Sequence, residues 1–303
     1  MNRRDALKAG SAAAAALLAP RAHAQDDAGA RAPFKLKYAP HLGMFKHHAG
    51  SDPLDQIRFM HEVGFRAFED NQMPRRAPEL QQQIGDLLEK LDMTMGVFVG
   101  SLDLFGSDGF AKGDAATKEK FLEDMKASVE IAKRVRAKWM TIVPGVRVPR
   151  LELDYQTANC VEILKAGCEV LEPAGLTMVL EPLNPWVNHP NMLLAKIPHA
   201  YLICKAVGSP SCKILFDMYH QQITEGNIIG NVNLAWEEVA YIQTGDHPGR
   251  NEPTTGEMNY RNIFKHVHAK GFTGVIGMEH GNSRGGEEGE RAVIEAYRAS
   301  DDF

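Results

Sequence analysis

Short runs of apolar residues alternate with longer amphipathic stretches along the chain from residue 34 to the C-terminus. Eight of the apolar runs have the length and composition of strands. They are Phe34–Pro40, Phe65–Glu69, Thr94–Val99, Trp139–Val143, Leu176–Glu181, Lys213–Asp217, Val239–Gln243 and Gly274–Glu279. Between these runs apolar residues recur at helical spacing, as Phe121, Met125 and Val129 do within Lys118–Arg136. The pattern predicts strands and helices in strict alternation.

The residues between these elements favour one barrel. Asp52-Pro53 supplies an N-cap followed by proline at the first helical position, and Gly64, Gly175 and Gly271 stand where helices end. Alternating strands and helices pair in parallel, and eight units match a (β/α)8 barrel. The sequence therefore predicts an α/β fold, a single (β/α)8 TIM barrel over residues 25–303. A doubly wound open sheet is the alternative, although no G-x-G-x-x-G follows the first strand.

The first 24 residues have the layout of an export signal. Arg3-Arg4 precedes an apolar, alanine-rich stretch over residues 12–19, and Ala22-His23-Ala24 forms a small-x-small cleavage site. The paired arginines predict a twin-arginine-type signal peptide, and hence a periplasmic protein. A membrane anchor is disfavoured because the apolar stretch is much shorter than the roughly 20 residues that span a bilayer.

Composition and charge restrict the class of partner. The 303 residues are 44% hydrophobic and 24% charged, which is typical of a globular protein, and the formal net charge is −5. Removal of the signal takes away four basic residues and one acidic residue and lowers the charge to −8. This acidity argues against nucleic acid and anionic membrane surfaces and favours a small-molecule substrate. A monomer and a homo-oligomer are equally compatible with the sequence.

The four cysteines, at positions 160, 168, 204 and 212, show no C-x2-C spacing. We expect them to be small buried residues, with disulfide pairing left open.

Oxygen-bearing polar residues end four successive predicted strands. They are Glu181, Asp217, Gln243 and Glu279. The carboxyl ends of barrel strands meet at one mouth, where the carboxylates would repel one another and raise one another's pKa. A divalent cation would remove that cost, and an all-oxygen ligand set suits Mg²⁺ or Mn²⁺ best, with Ca²⁺ as an alternative. The alternative interpretation is that each acid caps a helix or pairs with an arginine.

Three segments resemble a known family. They are residues 179–184, which read VLEPLN, residues 216–221, which read FDMYHQ, and residues 249–260, which read GRNEPTTGEMNY. These motifs resemble those of hydroxypyruvate isomerases, one branch of the xylose-isomerase-like barrels that also include ketose 3-epimerases. The resemblance spans essentially the whole chain after the signal, and the long loop after the seventh strand is its most specific part.

The resemblance implies a role for each matching residue. Glu181 and Glu279 correspond to paired metal-ligating glutamates that move a proton, and Asp217 and Gln243 to the remaining ligands. Many epimerase relatives have histidine where Gln243 stands. His220 and Arg250 correspond to residues that bind substrate.

Other residues near the predicted mouth are assigned by position alone. His41 lies just past the first strand and is predicted to contact substrate or to cap a loop. Residues 69–71, Glu-Asp-Asn, follow the second strand, and we interpret them as capping or loop residues. Trp186, His189 and Trp236 are predicted either to form walls over the site or to pack in the core.

The leading interpretation is a divalent-metal isomerase that converts hydroxypyruvate to tartronate semialdehyde through an enediolate. A ketose 3-epimerase or an inosose-type isomerase is the alternative in the same class. A non-catalytic periplasmic carbohydrate-binding protein is the alternative from another class, although such proteins usually have two lobes. An endonuclease on the same barrel would need several histidine ligands and a basic face, which the charge opposes.

Overall fold

Eight short parallel strands surround the centre of the structure. The computed structural model describes residues 31–303, so the predicted signal peptide, residues 1–24, lies outside the described residues. The strands are β1 (Lys37–Ala39), β2 (Ala67–Phe68), β3 (Thr94–Met95), β4 (Trp139–Ile142), β5 (Thr177–Leu180), β6 (Cys212–Asp217), β7 (Val239–Gln243) and β8 (Val275–Gly277). Seven of these strands lie entirely within the predicted runs, and β6 begins one residue before its run, at Cys212.

The strands close into a barrel. Six of them form a sheet in the order β1-β8-β7-β6-β5-β4, and β2 pairs with β3. Single parallel bridges, His41 with Glu69 and Val99 with Thr141, join the pair to its neighbours on both sides. Because every strand then has two parallel neighbours, the predicted barrel is confirmed and the open-sheet alternative is wrong.

Helices surround the strands. They are α1 (Lys46–Ala49), α2 (Pro53–Glu62), α3 (Pro78–Lys90), α4 (Gly109–Lys112), α5 (Ala115–Val135), α6 (Leu153–Leu171), α7 (Ile197–Val207), α8 (Met218–Thr224), α9 (Ile228–Ala235), α10 (Tyr260–Ala269) and α11 (Gly286–Ser300). Short 3₁₀ turns span Met73–Arg75, Glu172–Ala174 and Trp236–Glu238. Asp52 caps α2 as predicted, because its side chain accepts hydrogen bonds from the backbone N–H groups of Leu54 and Asp55.

Two layers of apolar side chains hold the barrel together. The inner layer is formed by buried residues that the strands point inward, namely Ala39, Ala67, Val97, Val179, Leu215, Tyr241 and Val275. The larger outer layer lies between strands and helices. Some predicted strands are longer than the hydrogen-bonded ladders because residues beyond a ladder, such as Val97 and Phe98, are still fully buried.

All four cysteines are buried, as predicted, and the structure has them as free thiols, which answers the question of pairing that the sequence left open. Within residues 31–303, no helix is both long and apolar enough to cross a membrane.

Candidate active site

Three carboxylates meet at the carboxyl ends of the strands. Asp217 is the last residue of β6, Glu181 directly follows β5, and Glu279 comes two residues after β8. One ligand atom from each of them, together with one from His220 on α8, lies within 4.8 Å of the others. Asp217 and His220 are fully buried, whereas about a quarter of the Glu279 side chain (25%) is exposed. The strand ends thus bring together side chains that are up to 98 positions apart in sequence.

Burial and mutual repulsion make this cluster costly to ionise. Burial raises the pKa of Glu181 well above its usual range, and the negative charges of Glu279 and Asp217 raise it further. Burial also raises the pKa of Glu279 to about 7, although the nearby Arg250 guanidinium opposes the shift. The site therefore needs positive charge in order to hold its carboxylates ionised.

Arg250 supplies part of that charge. Its Nη2 donates to Glu279 Oε2 at 2.6 Å and lies 3.6 Å from Asp217 Oδ2, while its Nε donates to the Glu279 backbone carbonyl at 3.1 Å. The guanidinium also lies over the Tyr219 ring, 4.8 Å from its centroid. The alternative interpretation is therefore realised in part. Glu279 pairs with an arginine, and Asp217 caps α8, because its Oδ1 accepts from the backbone N–H of His220 at 3.0 Å. One guanidinium still leaves the charge of three acids only partly balanced.

His220 is a neutral ring inside the site. Burial lowers its pKa to about 4, against the opposing charge of Asp217. Its Nδ1 accepts from the backbone N–H of Asn184 at 3.3 Å and faces the Asn184 side-chain amide at 2.6 Å. A neutral imidazole has one N–H. Nδ1 faces two donors, whereas Nε2 faces one, the Arg250 Nη2 at 3.2 Å, so the tautomer with its hydrogen on Nε2 leaves fewer donors opposed. Nε2 also lies 3.8 Å from Glu181 Oε1. His220 can therefore donate a hydrogen bond into the cluster.

Gln243, the last residue of β7, is held by a buried acid. Its Nε2 donates a long hydrogen bond of 3.5 Å to Glu69 Oε1, and the Tyr241 hydroxyl donates to Glu69 Oε2 at 2.8 Å. The interpretation of Glu69 as a capping or loop residue is wrong, because its side chain is buried inside the barrel.

The other two residues of that segment have different surroundings. Asp70 does act in the loop, where it accepts from the Gln72 backbone N–H at 3.1 Å and pairs with Arg76. Asn71 instead belongs to the site, because its Nδ2 donates to Glu279 Oε1 at 2.9 Å. Sequence reasoning missed Glu69 and Asn71, and the available signal was that Glu69 ends an apolar run as the four predicted ligands do.

The donor set fits a divalent cation. Asp217 Oδ2 and Gln243 Oε1 are buried and have no hydrogen-bond partner among the described residues 31–303. Leaving such atoms unpaired is expensive, and a cation bound between them would remove the cost. Carboxylate and amide oxygens are the ligands preferred by Mg²⁺ and Mn²⁺. The assignment of the four residues as ligands stays a prediction.

The remaining residues predicted near the mouth differ in position. His41 lines a cavity with Glu279, and its ring nitrogens contact the backbone carbonyls of Leu42 at 2.9 Å and His280 at 3.1 Å. His189 lies beside His220, with 5.4 Å between ring centroids, so it does form a wall. Trp186 is largely exposed.

Trp236 packs against the core, which is the second of its two predicted positions, and it does not lie over the mouth. Its 3₁₀ turn immediately precedes β7, so the ring packs against Phe272 at the amino-terminal end of the barrel.

Buried acids shape the loop between β7 and α10, which carries Arg250. Asp246 accepts from the backbone N–H groups of Gly256 at 2.9 Å and Met258 at 3.1 Å. Glu252 accepts from the backbone N–H of Ser283 at 2.9 Å and also from its hydroxyl. The composition of this loop is thus explained by hydrogen bonds that fix the position of Arg250.

The fold and the site together define a (β/α)8-barrel protein with a buried, oxygen-rich acidic centre at the carboxyl ends of its strands. A family model described as Xylose isomerase-like TIM barrel matches residues 57–300. The chain belongs to this family.

Two relatives and one solved structure are similar to this chain in sequence or in fold. The chain is 26% identical over 163 residues to the hydroxypyruvate isomerase of Escherichia coli, a match covering 54% of this chain and 63% of that protein. It is 32% identical over 131 residues to the 2-oxo-tetronate isomerase of Cupriavidus necator, covering 42% and 50% respectively. D-psicose 3-epimerase from Clostridium cellulolyticum H10, solved with D-tagatose, has the same fold, with a TM-score of 0.72 at 16% identity over 88% of this chain and 98% of that one.

Proposed function

We propose that this protein is a divalent-metal-dependent isomerase of a small hydroxy-carbonyl acid, with hydroxypyruvate to tartronate semialdehyde as the reference reaction. The observation that carries the proposal is the convergence of Glu181, Asp217 and Glu279 on one buried centre. Relatives named hydroxypyruvate isomerase and 2-oxo-tetronate isomerase support it. Because the matches span only about half to two thirds of those proteins, the activity is proposed on the site as well as on the likeness.

The two glutamates supply the proton transfer. Conversion of an α-hydroxycarbonyl compound through an enediolate needs a base at one carbon and an acid at its neighbour. Glu181 and Glu279 approach the centre from different strands, and both have a raised pKa. Because the pKa of Glu279 is raised to about 7, this carboxyl group can accept or donate a proton near neutral pH, and Glu181 can act at the neighbouring carbon in the opposite sense.

Glu181, Asp217, Gln243 and Glu279 would hold the cation, for which Mg²⁺ and Mn²⁺ are the best candidates. When bound, it would polarise the substrate oxygens and stabilise the negative charge that develops on them. The chain itself contributes His220, whose Nε2–H can donate to a substrate oxygen. Arg250 offers a guanidinium that binds a carboxylate in bidentate fashion once Glu279 is engaged elsewhere.

The function is tested by incubating the protein with Mg²⁺ or Mn²⁺ and hydroxypyruvate and by following tartronate semialdehyde by NMR. We expect conversion that a chelator abolishes and that the added cation restores. A ketose 3-epimerase would instead convert ketohexoses under the same conditions. A carbohydrate-binding protein would bind such compounds without converting any of them.

We also propose that the protein acts outside the cytoplasm. The support is the sequence of residues 1–24, with its arginine pair and small-x-small cleavage site. Mass spectrometry of periplasmic and cytoplasmic fractions tests this, because export predicts a chain that begins near Gln25. A full-length cytoplasmic product would contradict it.

A further inference from the structure

A cavity of about 290 Å³ lies beside the acidic centre. Its lining includes Asp70, Asn71, Arg76 and Glu279. Glu279 lines the cavity and also belongs to the metal-ligand cluster, whereas Glu181 and Asp217 do not line it. A water molecule occupies about 30 Å³ of liquid, so the cavity has room for several non-hydrogen atoms. A substrate chain that continues past Glu279 would enter it.

Asn71 gives this cavity a specific chemical preference. Its Nδ2 is committed to Glu279 Oε1 at 2.9 Å. Its Oδ1 is buried and has no hydrogen-bond partner within residues 31–303. An amide oxygen only accepts hydrogen bonds, so it needs a donor. A hydroxyl can donate to it, whereas an ionised carboxylate cannot.

The charges around the cavity point in the same direction. Asp70 and Glu279 are acidic, and the Arg76 guanidinium is already paired with Asp70. A carboxylate placed here would meet acidic groups, whereas a neutral hydroxyl would not. Arg250, on the other side of Glu279, is the better partner for a substrate carboxylate.

We propose that Asn71 accepts a hydrogen bond from a substrate hydroxyl on a carbon beyond the two reacting carbons. This inference rests on the proposed function and predicts that, among hydroxy-carbonyl acids, the protein prefers those of at least four carbons to the three-carbon hydroxypyruvate. Asn71 is then a specificity-determining residue as well as a hydrogen-bond partner of Glu279. A three-carbon acid leaves Asn71 Oδ1 without a donor and binds less tightly.

The test compares 2-oxo-tetronate, with four carbons, and hydroxypyruvate, with three, on the Mg²⁺-loaded protein. We expect a higher kcat/KM for the four-carbon acid and a roughly tenfold fall in the ratio of the two values in Asn71→Ala, the range of one lost hydrogen bond. If Asn71 only positions Glu279, both values fall together and the ratio stays constant, which would overturn the proposal. Asn282→Ala is the matched control, because Asn282 Nδ2 also donates one bond, to the Met44 carbonyl at 2.9 Å, outside the cavity.

A binding measurement separates this inference from the proposed function. Erythronate and glycerate are four- and three-carbon hydroxy acids that lack the keto group on which the isomerisation depends, so they bind without reacting. Calorimetry on the Mg²⁺-loaded wild-type protein should show roughly tenfold tighter binding of erythronate. That preference without turnover of either keto acid would sink the function and keep the subsite. Turnover with equal binding and equal kcat/KM would sink the subsite and keep the function. The wild-type comparison holds even if Asn71→Ala fails to fold.

Discussion

Glu69 reaches Gln243 only because glycine stands at position 277. A Cβ atom there would lie 2.1 Å from Glu69 Oε2 and 2.8 Å from Gln243 Cγ. Gly96 plays the same part for Tyr241, whose hydroxyl would be 2.3 Å from an added Cβ. Two glycines thus make room for the buried acid and phenol that hold the glutamine.

Gly277→Ala should therefore disturb both the core and the site. We expect it to lower the free energy of unfolding by about 1–3 kcal/mol, the usual cost of overpacking, and to weaken Mn²⁺ binding because Gln243 must move. Urea unfolding and calorimetric titration measure the two effects. Gly106→Ala is the control, since a Cβ there meets no atom within 4 Å and should change stability by less than about 0.5 kcal/mol. Equal behaviour of the two variants would contradict the account.

At the residue scale, the sequence predicted the strand-end residues better than their partners. Asp217 and Gln243 could be predicted because each ends an apolar run in a repeating pattern. Glu69 ends such a run too. However, Asp70 and Asn71, which follow it, are residues typical of turns, so the local sequence did not indicate that Glu69 lies inside the barrel. Its hydrogen bonds to Tyr241 and Gln243 join residues more than 170 positions apart, which no local pattern encodes.

The loop between β7 and α10 is the element that places Arg250. Asp246 is fully buried and accepts two backbone N–H groups across the loop. Glu252 fastens the same loop to Ser283, which follows β8. The position of the guanidinium over Glu279 depends on these bonds, because Arg250 itself lies between the two acids in sequence.

Asp246→Ala should loosen this loop. Two backbone donors would lose their acceptor, which costs roughly 1–3 kcal/mol each when they stay buried. We expect a lower free energy of unfolding and a raised KM, because Arg250 is placed less well. Asp246→Asn is the matched variant, since its amide oxygen still accepts one of the two bonds, and its losses should be smaller. A KM unchanged in Asp246→Ala would show that the loop does not position the substrate.

Element order was predictable, whereas element length was not. The helical spacing of Phe121, Met125 and Val129 predicted a helix, and all three residues lie in α5. β2 and β3 are only two residues long, and single bridges outside these ladders join them to the strands on either side. Burial continues past those ladders, so apolar composition cannot show where the hydrogen bonds stop.

For the whole molecule, the acidic centre couples stability to pH, and the proposed cation would couple it to metal as well. The folded pKa of Glu279, about 7, and that of Glu181 lie above the usual carboxyl values. The stabilising contribution of their protonation is therefore fully present below the unfolded pKa, near 4.5, and for Glu279 is lost as pH rises through about 7. A cation binds the deprotonated carboxylates, so it competes with these protons.

The increase in Tm that Mg²⁺ or Mn²⁺ causes should accordingly grow with pH. We expect a small increase near pH 5 and a larger one near pH 8, because fewer protons compete for Glu181 and Glu279. Thermal unfolding with the cation and with a chelator, at the same pH and ionic strength, gives the increase in Tm. Groups that titrate outside the site affect both Tm values alike and drop out of the difference. Glu279→Gln should show a smaller increase with a weaker pH dependence. The same increase at both pH values in the wild-type protein would contradict the coupling.

The central claim is that one of Glu181 and Glu279 removes a proton from one substrate carbon and the other delivers a solvent-derived proton to the neighbouring carbon. Solvent deuterium incorporation tests this claim most directly. With hydroxypyruvate in D₂O, the Mg²⁺-loaded wild-type protein should incorporate deuterium from the solvent at the carbon of the product that receives the proton. Glu181→Gln and Glu279→Gln should each lower the rate of incorporation by about 10²–10⁴-fold, the usual contribution of general acid–base catalysis. The double variant should be little slower than the slower single variant. Incorporation at a near-normal rate by metal-loaded Glu279→Gln would contradict the two-carboxylate mechanism.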